Sequence, residues 1–269
     1  MFKTPDLIMR FMRIIIQGPG HAFYNMAIDE AISEAVTRKL SPPTLRLYEW
    51  DRPSISIGYF QKTSDIDTRY CSKKGYPLVR RLTGGRAILH DAELTYSLSS
   101  LSNTYLFNNS LIKTYTVISN ALLRGLKQNG IEAHMSGRKK HNSGNKNPAC
   151  FKSMSYGEIK VNGKKIIGSA QKRYKDGFLQ HGSILMNFNA EEMHNVLICN
   201  DDADFNDIGA IREYSPDLSL SQLIVSLKEA FEKELGVKLV SDNPSKFELS
   251  LAKELEQNKY STEKWNFVR

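Results

Sequence analysis

The sequence of 269 residues has few of the features that mark several common protein classes. It contains three cysteines, Cys71, Cys150 and Cys199, and no CxxC motif, which argues against a disulfide framework and a zinc ribbon. No apolar run reaches the ~18 to 20 residues that a membrane span needs. The N-terminal stretch MFKTPDLIMRFMRIII mixes charged residues into the apolar ones, unlike a signal peptide. We therefore expect a cytoplasmic protein that does not bind a membrane.

Motifs for metals and nucleotides are also missing. The six histidines show no HxxxH or HExxH pairing, so we expect no metal site. Neither a P-loop nor a GxGxxG fingerprint occurs. The net charge is +8, and its densest basic cluster, Arg138 to Lys140, falls in a predicted loop. This charge suits nucleic acid or an acidic protein. Because no nucleic-acid motif is recognisable, we expect no nucleic-acid partner.

Hydrophobic periodicity and turn residues predict an α+β fold, not a regular alternation of strands and helices. Helices are expected at 24–36, 111–128, 219–236 and 247–260, and strands at 45–50, 54–60, 77–82, 84–90, 94–100, 155–161, 164–173 and 177–188. Residues 137–148 are polar and basic and predict a mobile loop, and Asn162-Gly163 predicts a hairpin turn. We expect one domain over 1–269, with a core at about 40–240 and C-terminal helices.

The segment RRLTGGRAILHD, residues 80–91, is the first candidate site. Gly84 and Gly85 let the backbone approach a ligand closely, because no Cβ stands in the way. The flanking Arg80, Arg81 and Arg86 have the planar fork that binds phosphate or carboxylate. The alternative interpretation is a tight turn with solvated arginines.

Cys150 and Lys165 form the second candidate site. Cys150 ends a polar run, and Lys165 follows fifteen residues later, just before an apolar–glycine–serine turn. An exposed cysteine close to an ammonium group becomes a thiolate more easily and is then nucleophilic. Alternatively, Cys150 is a small buried residue. A third segment, LQHGSILMNF, places His181 where it can line a pocket or serve as a hydrogen-bonded core histidine.

Taken together, four segments resemble one superfamily. RRLTGGRAILHDAELTYS, ACF, GKKIIGSAQKR and LQHGSIL occur in the order and spacing of the biotin/lipoate protein ligases and transferases. Within that superfamily, the sequence resembles the octanoyltransferases of the Gram-positive type, from about Arg13 to the tail KYSTEKWNF. The resemblance implies a mixed, largely antiparallel sheet with packed helices, which is the catalytic-domain fold of this superfamily.

The resemblance also implies roles for single residues. Cys150 matches the nucleophile that forms an acyl thioester, and Lys165 matches the lysine that lowers its pKa. The predicted substrate-binding set joins the matched pocket segments to Arg80 and His181, and comprises Arg80, Thr83, Gly84, Gly85, Arg86, Ala87, Ile88, Leu89, His90, Gly168, Ser169, Ala170, His181, Gly182, Ser183 and Ile184.

The implied reaction is the first step of lipoate biosynthesis. Acyl carrier protein gives octanoate to Cys150, and a lysine of GcvH or another lipoyl-domain protein then takes it, without ATP or metal. An ATP-dependent lipoate–protein ligase is the main alternative. The cysteine, the sequence HDAELTYS and the short tail of about 80 residues argue against it. An octanoyl-GcvH amidotransferase and a non-catalytic carrier-binding protein are further alternatives.

Overall fold

The computed structural model describes residues 11–104, 106–107, 110–136, 157–198 and 205–269. Cys150, Cys199 and the loop predicted at 137–148 lie outside these residues. The described chain is organised around an eight-stranded mixed sheet, and a three-stranded sheet lies beside it. Helices cover both faces of the larger sheet. The predicted α+β fold, with a mixed and largely antiparallel sheet, is thereby confirmed.

The strands and helices follow one another along the described chain with these bounds. The strands are β1 (Phe11–Gly20), β2 (Thr44–Trp50), β3 (Ser54–Ile57), β4 (Leu78–Arg80), β5 (Ile88–His90), β6 (Glu93–Leu101), β7 (His134–Met135), β8 (Ile159–Val161), β9 (Lys164–Arg173), β10 (Gly177–Leu185) and β11 (Lys238–Ser241). The helices are α1 (Ala22–Thr37), α2 (Thr68–Lys74), α3 (Leu111–Gln128), α4 (Ala190–Val196), α5 (Leu220–Leu235), α6 (Lys246–Leu255) and α7 (Glu263–Asn266).

The strand order shows where parallel and antiparallel pairing occur. The large sheet runs β11-β1-β2-β6-β10-β9-β8-β7, and the small sheet runs β4-β3-β5. In the large sheet β1 is parallel to β2 and β11, whereas the other neighbours are antiparallel. The long central strands β6 and β10 pair over nine residues, so they hold the middle of the sheet rigidly.

Side-chain alternation gives the large sheet two different buried faces. On β6, Leu94, Tyr96 and Leu98 join the apolar cluster formed with α3 and α5, and we call this side the apolar face. The intervening Thr95, Ser97 and Ser99 are also buried and lie on the opposite side, which we call the polar face. Helix α1, backed by α6, and the small sheet cover the polar face.

Several predicted bounds agree closely with the structure, and a few elements were not predicted. Helix α3 has the predicted bounds, and the β8–β9 hairpin turns at Asn162 and Gly163 with φ of 49° and 84°. Such left-handed values are what a two-residue hairpin turn requires. Strands β1, β7 and β11 and helices α2, α4 and α7 were not predicted. Most of these are short, and β1 carries a glycine–proline–glycine run at its end.

Candidate active site

A narrow cavity lies between the polar face, the small sheet and α1. Its wall contains seven residues of the predicted substrate-binding set: Ile88, His90, Gly168, Ala170, His181, Gly182 and Ser183. These come from β5, β9 and β10, so three separate motifs of the sequence meet at one place. That a substrate binds there stays a prediction.

Six further wall residues were not in the predicted set: Met26, Tyr48, Trp50, Ser56, Arg81 and Thr95. Tyr48, Trp50 and Thr95 lie on strands, where they alternate with core residues. The sequence pattern of these strands indicates packing and gives no sign of a binding role. Met26 lies on α1, which the sequence identifies as a core helix. Arg81 lies inside the glycine-pair motif beside Arg80. This position was the sequence signal that could have identified it as a residue of the cavity wall.

The rest of the predicted set lies outside the cavity wall: Arg80, Thr83, Gly84, Gly85, Arg86, Ala87, Leu89, Ser169 and Ile184. Ile184 packs in the apolar cluster, and Ser169 shares a 2.7 Å hydrogen bond with Tyr96 on the apolar face. Ala87 and Leu89 pack in the cluster of the small sheet. For these residues a role in substrate binding stays a prediction.

Arg80 is buried and links the segment that follows β3 to the helix α7. Its guanidinium is fully buried and donates hydrogen bonds to the carbonyl oxygens of Gly58 (2.9 Å), Gln61 (2.7 Å) and Asn266 (2.9 Å). A Cβ at Gly58 would lie 2.0 Å from the carbonyl oxygen of Gly85, so the two backbones are in direct contact. Arg80 therefore ties the segment 58–61, against which the glycine-pair loop packs, to α7.

One end of the cavity wall is built on a buried charged cluster. Arg46 donates to the Asp29 carboxylate at 2.8 Å, and Tyr48 donates to the same carboxylate at 3.0 Å. His181 Nδ1 lies 3.7 Å from Asp29, and its Nε2 shares a 2.7 Å hydrogen bond with Thr83. The cluster fixes the ring of His181 between α1 and the residue that precedes the glycine pair.

Burial and charge shift the protonation of this cluster in definite directions. Burial alone would raise the pKa of Asp29, but Arg46 and His181 more than offset this and hold it below its usual value. Burial lowers the pKa of His181, although the Asp29 carboxylate opposes the shift. The cluster at neutral pH is thus an Asp29–Arg46 ion pair beside a neutral imidazole.

A second hydrogen-bond chain positions His90 on the cavity wall. His90 Nδ1 lies 2.8 Å from the Glu93 carboxylate, so this nitrogen carries the proton and donates. Nε2 shares a 2.7 Å hydrogen bond with the Ser56 hydroxyl. The imidazole stacks on Trp50 with ring centroids 3.9 Å apart, and Trp50 Nε1 donates to Thr95 at 2.8 Å. Both large rings are therefore fixed in place.

Lys165 is buried beside a carboxylate and is not part of the cavity wall. Its Nζ lies 2.8 Å from Glu158 Oε1, and each side chain is at most 3% exposed. A neutralising carboxylate weakens the field that an ammonium group exerts on its surroundings. Any effect of Lys165 on Cys150 must therefore include Glu158, which the sequence did not single out.

The described residues form neither a metal cluster nor a membrane-spanning helix. Within the described residues, no cluster of three or more histidine, cysteine, aspartate or glutamate side chains is placed to hold a metal ion. None of the described helices is both long enough and apolar enough to cross a bilayer. Cys71 is buried on α2, and burial raises the pKa of its thiol to about 11, so this cysteine is a poor nucleophile.

Comparison with known proteins identifies the family. The model of the lipoyl protein ligase A/B catalytic domain matches residues 21–232, most of the chain. The chain belongs to this family. The match takes in α1, the small sheet, the whole cavity wall and most of α5, and it includes every strand of the large sheet except β1 and β11. The predicted superfamily is therefore confirmed.

Relatives in this family are octanoyltransferases by name. The octanoyltransferase LipM of Kyrpidia tusciae is 38% identical, and the match covers 96% of this chain and 99% of that protein. LipM of Brevibacillus brevis is 37% identical over 97% and 100% of the two chains. A solved lipoate-protein ligase A bound with ATP is similar at a TM-score of 0.81, with 27% identity over 95% and 98%. An archaeal bipartite ligase of Thermoplasma acidophilum gives 0.79, with 26% identity over 96% of each chain.

Proposed function

We propose that the protein transfers octanoate from acyl carrier protein to a lysine of a lipoyl-domain protein such as GcvH, through a thioester on Cys150. The observation that carries the proposal is the match to LipM octanoyltransferases at 33–38% identity, which extends over at least 90% of this chain. The cavity supports it, because Met26, Trp50 and Ile88 offer apolar surface for a fatty chain. The reaction belongs to lipoate biosynthesis.

The chemistry is a pair of acyl exchanges. The Cys150 thiolate attacks the donor's thioester carbonyl, a new carbon–sulfur bond forms, and the carrier's thiolate leaves. The neutral amine of the acceptor lysine then attacks the octanoyl-cysteine, loses a proton and expels the Cys150 thiolate, which leaves an amide. Both donors are thioesters and are already activated, so the sequence of steps uses no ATP. Lys165, paired with Glu158, is the cation that favours the thiolate.

Intact-mass measurement tests the covalent step. Incubation with octanoyl-acyl carrier protein, without ATP, is expected to add ~126 Da, the mass of one octanoyl group, at Cys150. Cys150→Ser is expected to abolish both the adduct and transfer to GcvH, whereas Cys71→Ser and Cys199→Ser keep them. An adduct on another cysteine, or equal loss in all three variants, would contradict the assignment.

The Lys165–Glu158 pair allows a test with two opposite outcomes. Lys165→Ala removes the cation and is expected to raise the pH at which iodoacetamide alkylates Cys150 rapidly. Glu158→Gln removes the neutralising carboxylate and is expected to lower that pH. Alkylation profiles that do not move in either variant would exclude this pair from the activation of Cys150.

A second candidate function is supported by the solved structures. The similarity to a lipoate-protein ligase bound with ATP, at a TM-score of 0.81, keeps an ATP-dependent ligase as the alternative. Free octanoate or lipoate with ATP is the discriminating substrate. If the acceptor becomes modified only in that mixture, and octanoyl-acyl carrier protein gives neither adduct nor product, the ligase function replaces the transferase function.

A further inference from the structure

An exposed basic and aromatic surface lies beside the glycine-pair loop. We call it the basic rim, and it consists of Tyr59, Phe60, Lys62, Arg86, Lys172 and Arg269. Phe60 is 69% exposed, the highest value among the large apolar residues that the structure describes. Phe60, Lys62, Gly85 and Arg86 line one open cleft. The rim thus combines apolar contact area with positive charge.

The cations of the basic rim are arranged around its aromatic rings. Lys172 Nζ lies 5.5 Å from the centre of the Tyr59 ring. The Arg269 guanidinium carbon lies 5.4 Å from the Tyr59 ring and 5.0 Å from the Phe60 ring. Cation–π contacts of this kind restrict where the charged groups can point. The carboxylate that lines the cleft, Asp65, accepts a 3.3 Å hydrogen bond from Gln61.

Hydrogen bonds connect the basic rim to the cavity wall. The Arg81 guanidinium forms part of the cavity wall and donates to the carbonyl oxygens of Gly84 (2.9 Å) and Arg86 (2.8 Å). Among the described residues, the loop 84–86 therefore links the open cleft to the wall of the cavity. Gly85 is exposed and has a φ of 97°, and without a Cβ it lets a partner's backbone come close.

We propose that the basic rim docks the acceptor lipoyl domain, through a negatively charged face around that domain's acceptor lysine. The proposal deepens the proposed function and rests on it for the identity of the partner. Charge complementarity supplies the steering, and Phe60 supplies a central apolar contact of the kind that anchors protein interfaces.

The geometry favours the acceptor over the donor as the occupant. The acceptor lysine sits on a stem of four methylene groups, so its domain must dock directly at the entrance to the site. The donor's acyl group travels on a longer prosthetic arm, which lets the carrier dock farther away. A surface one loop away from the cavity wall suits the shorter reach.

Direct binding of the apo lipoyl domain tests the proposal independently of chemistry. The double variant Lys62→Glu/Lys172→Glu is expected to raise the dissociation constant at least about tenfold at low salt, and to flatten its salt dependence. The matched control is Lys233→Glu/Lys238→Glu, which makes the same charge change at exposed positions on α5 and β11. The control is expected to stay within about twofold of the unaltered protein.

Transfer assays on the same variants separate docking from chemistry. Loading of the double variant from octanoyl-pantetheine, a small donor without a carrier protein, is expected to be unchanged. Unchanged binding of the lipoyl domain, or an equal loss in the control, would overturn the docking surface. So would slower loading from the small donor, because the lysines would then act in the chemistry. If the unaltered protein binds the domain through the rim but never becomes octanoylated, the proposed function fails while the docking surface stands.

Discussion

The two faces of the large sheet are equally well buried, yet they are built from different side chains. The apolar face packs Leu94, Tyr96 and Ile184 against the helices α3 and α5. The polar face buries the ion pair of Asp29 and Arg46, whose side chains are 2% and 1% exposed. Within the described residues, this buried ion pair and the cavity both lie on the polar face.

This difference indicates that the polar face contributes less to the stability of the fold than an apolar face of the same size would. Removing charges from water costs several kcal/mol per ion, and apolar residues of similar volume often fill such places at no loss or a gain. On the polar face, Glu93 Oε2 also has no hydrogen-bond partner within the described structure. A fold selected for stability alone has no use for such a face. Under the proposed function, these groups serve the acyl group that the cavity is predicted to bind.

The largest expected effect is a difference in stability between two variants, each of which removes the arginine of an ion pair on one side of the large sheet. Arg46→Ala leaves Asp29 as a buried charge without its cation, and we expect a loss of about 3–5 kcal/mol in the free energy of unfolding. Arg124 on α3 forms a 3.3 Å pair with Glu234, and these side chains are 39% and 21% exposed. Arg124→Ala is expected to cost at most ~1 kcal/mol. Chemical denaturation of both variants measures this, and equal losses would remove the distinction between the faces.

A smaller loss of stability is expected when a Cβ is added at Gly182, in the middle of β10. A Cβ at Gly182 would lie 2.5 Å from the carbonyl oxygen of Gly168 and 2.7 Å from a ring carbon of Tyr96. Gly182→Ala must therefore shift β9 against β10, at a cost of roughly 1–3 kcal/mol, and displace Gly168 in the cavity wall. We expect transfer activity to fall by more than stability explains. Gly18→Ala on β1, where a Cβ meets open space, is the control. Octanoyl transfer that persists at its full rate in Gly182→Ala would contradict this account of the cavity.

The smallest expected effect is a dependence of stability on pH. Burial lowers the folded-state pKa of His181 below the ~6.5 of an unfolded chain. Between these two values the unfolded state binds more protons, so stability is complete above about pH 6.5 and declines as the pH falls below it. His181→Gln is expected to flatten the decline between pH 7 and 5 in thermal unfolding. A decline of the same steepness in that variant would assign it to other groups.

The sequence predicted the fold well where local signals were strong. The helix Leu111–Gln128 and the hairpin at Asn162-Gly163 carry a clear helical period and a specific turn pair, and both are confirmed. The resemblance to Gram-positive octanoyltransferases is confirmed by the LipM relatives. Short helices such as Thr68–Lys74 were missed, because two turns give too few residues to show a period.

The candidate site was predicted only in part, for a physical reason. Motifs reveal residues that are close in sequence, such as the glycine pair, but a cavity is made by side chains brought together from several elements. Tyr48 and Trp50 look like ordinary strand residues until β2 is placed next to β6. Arg80 looks like a ligand-binding arginine, yet its donors are used by backbone carbonyls. The roles of Cys150 and Lys165 and the single-domain division stay predictions.

A structure of the protein carrying octanoate on Cys150 tests the central claim most directly, namely that the polar face is the acyl-binding face. We predict that the chain lies in the cavity against Trp50, Gly168 and Ala170, on the side of the sheet that α1 covers. An octanoyl chain seated among the helices α3 and α5, or one left outside the cavity on the protein surface, would contradict the account.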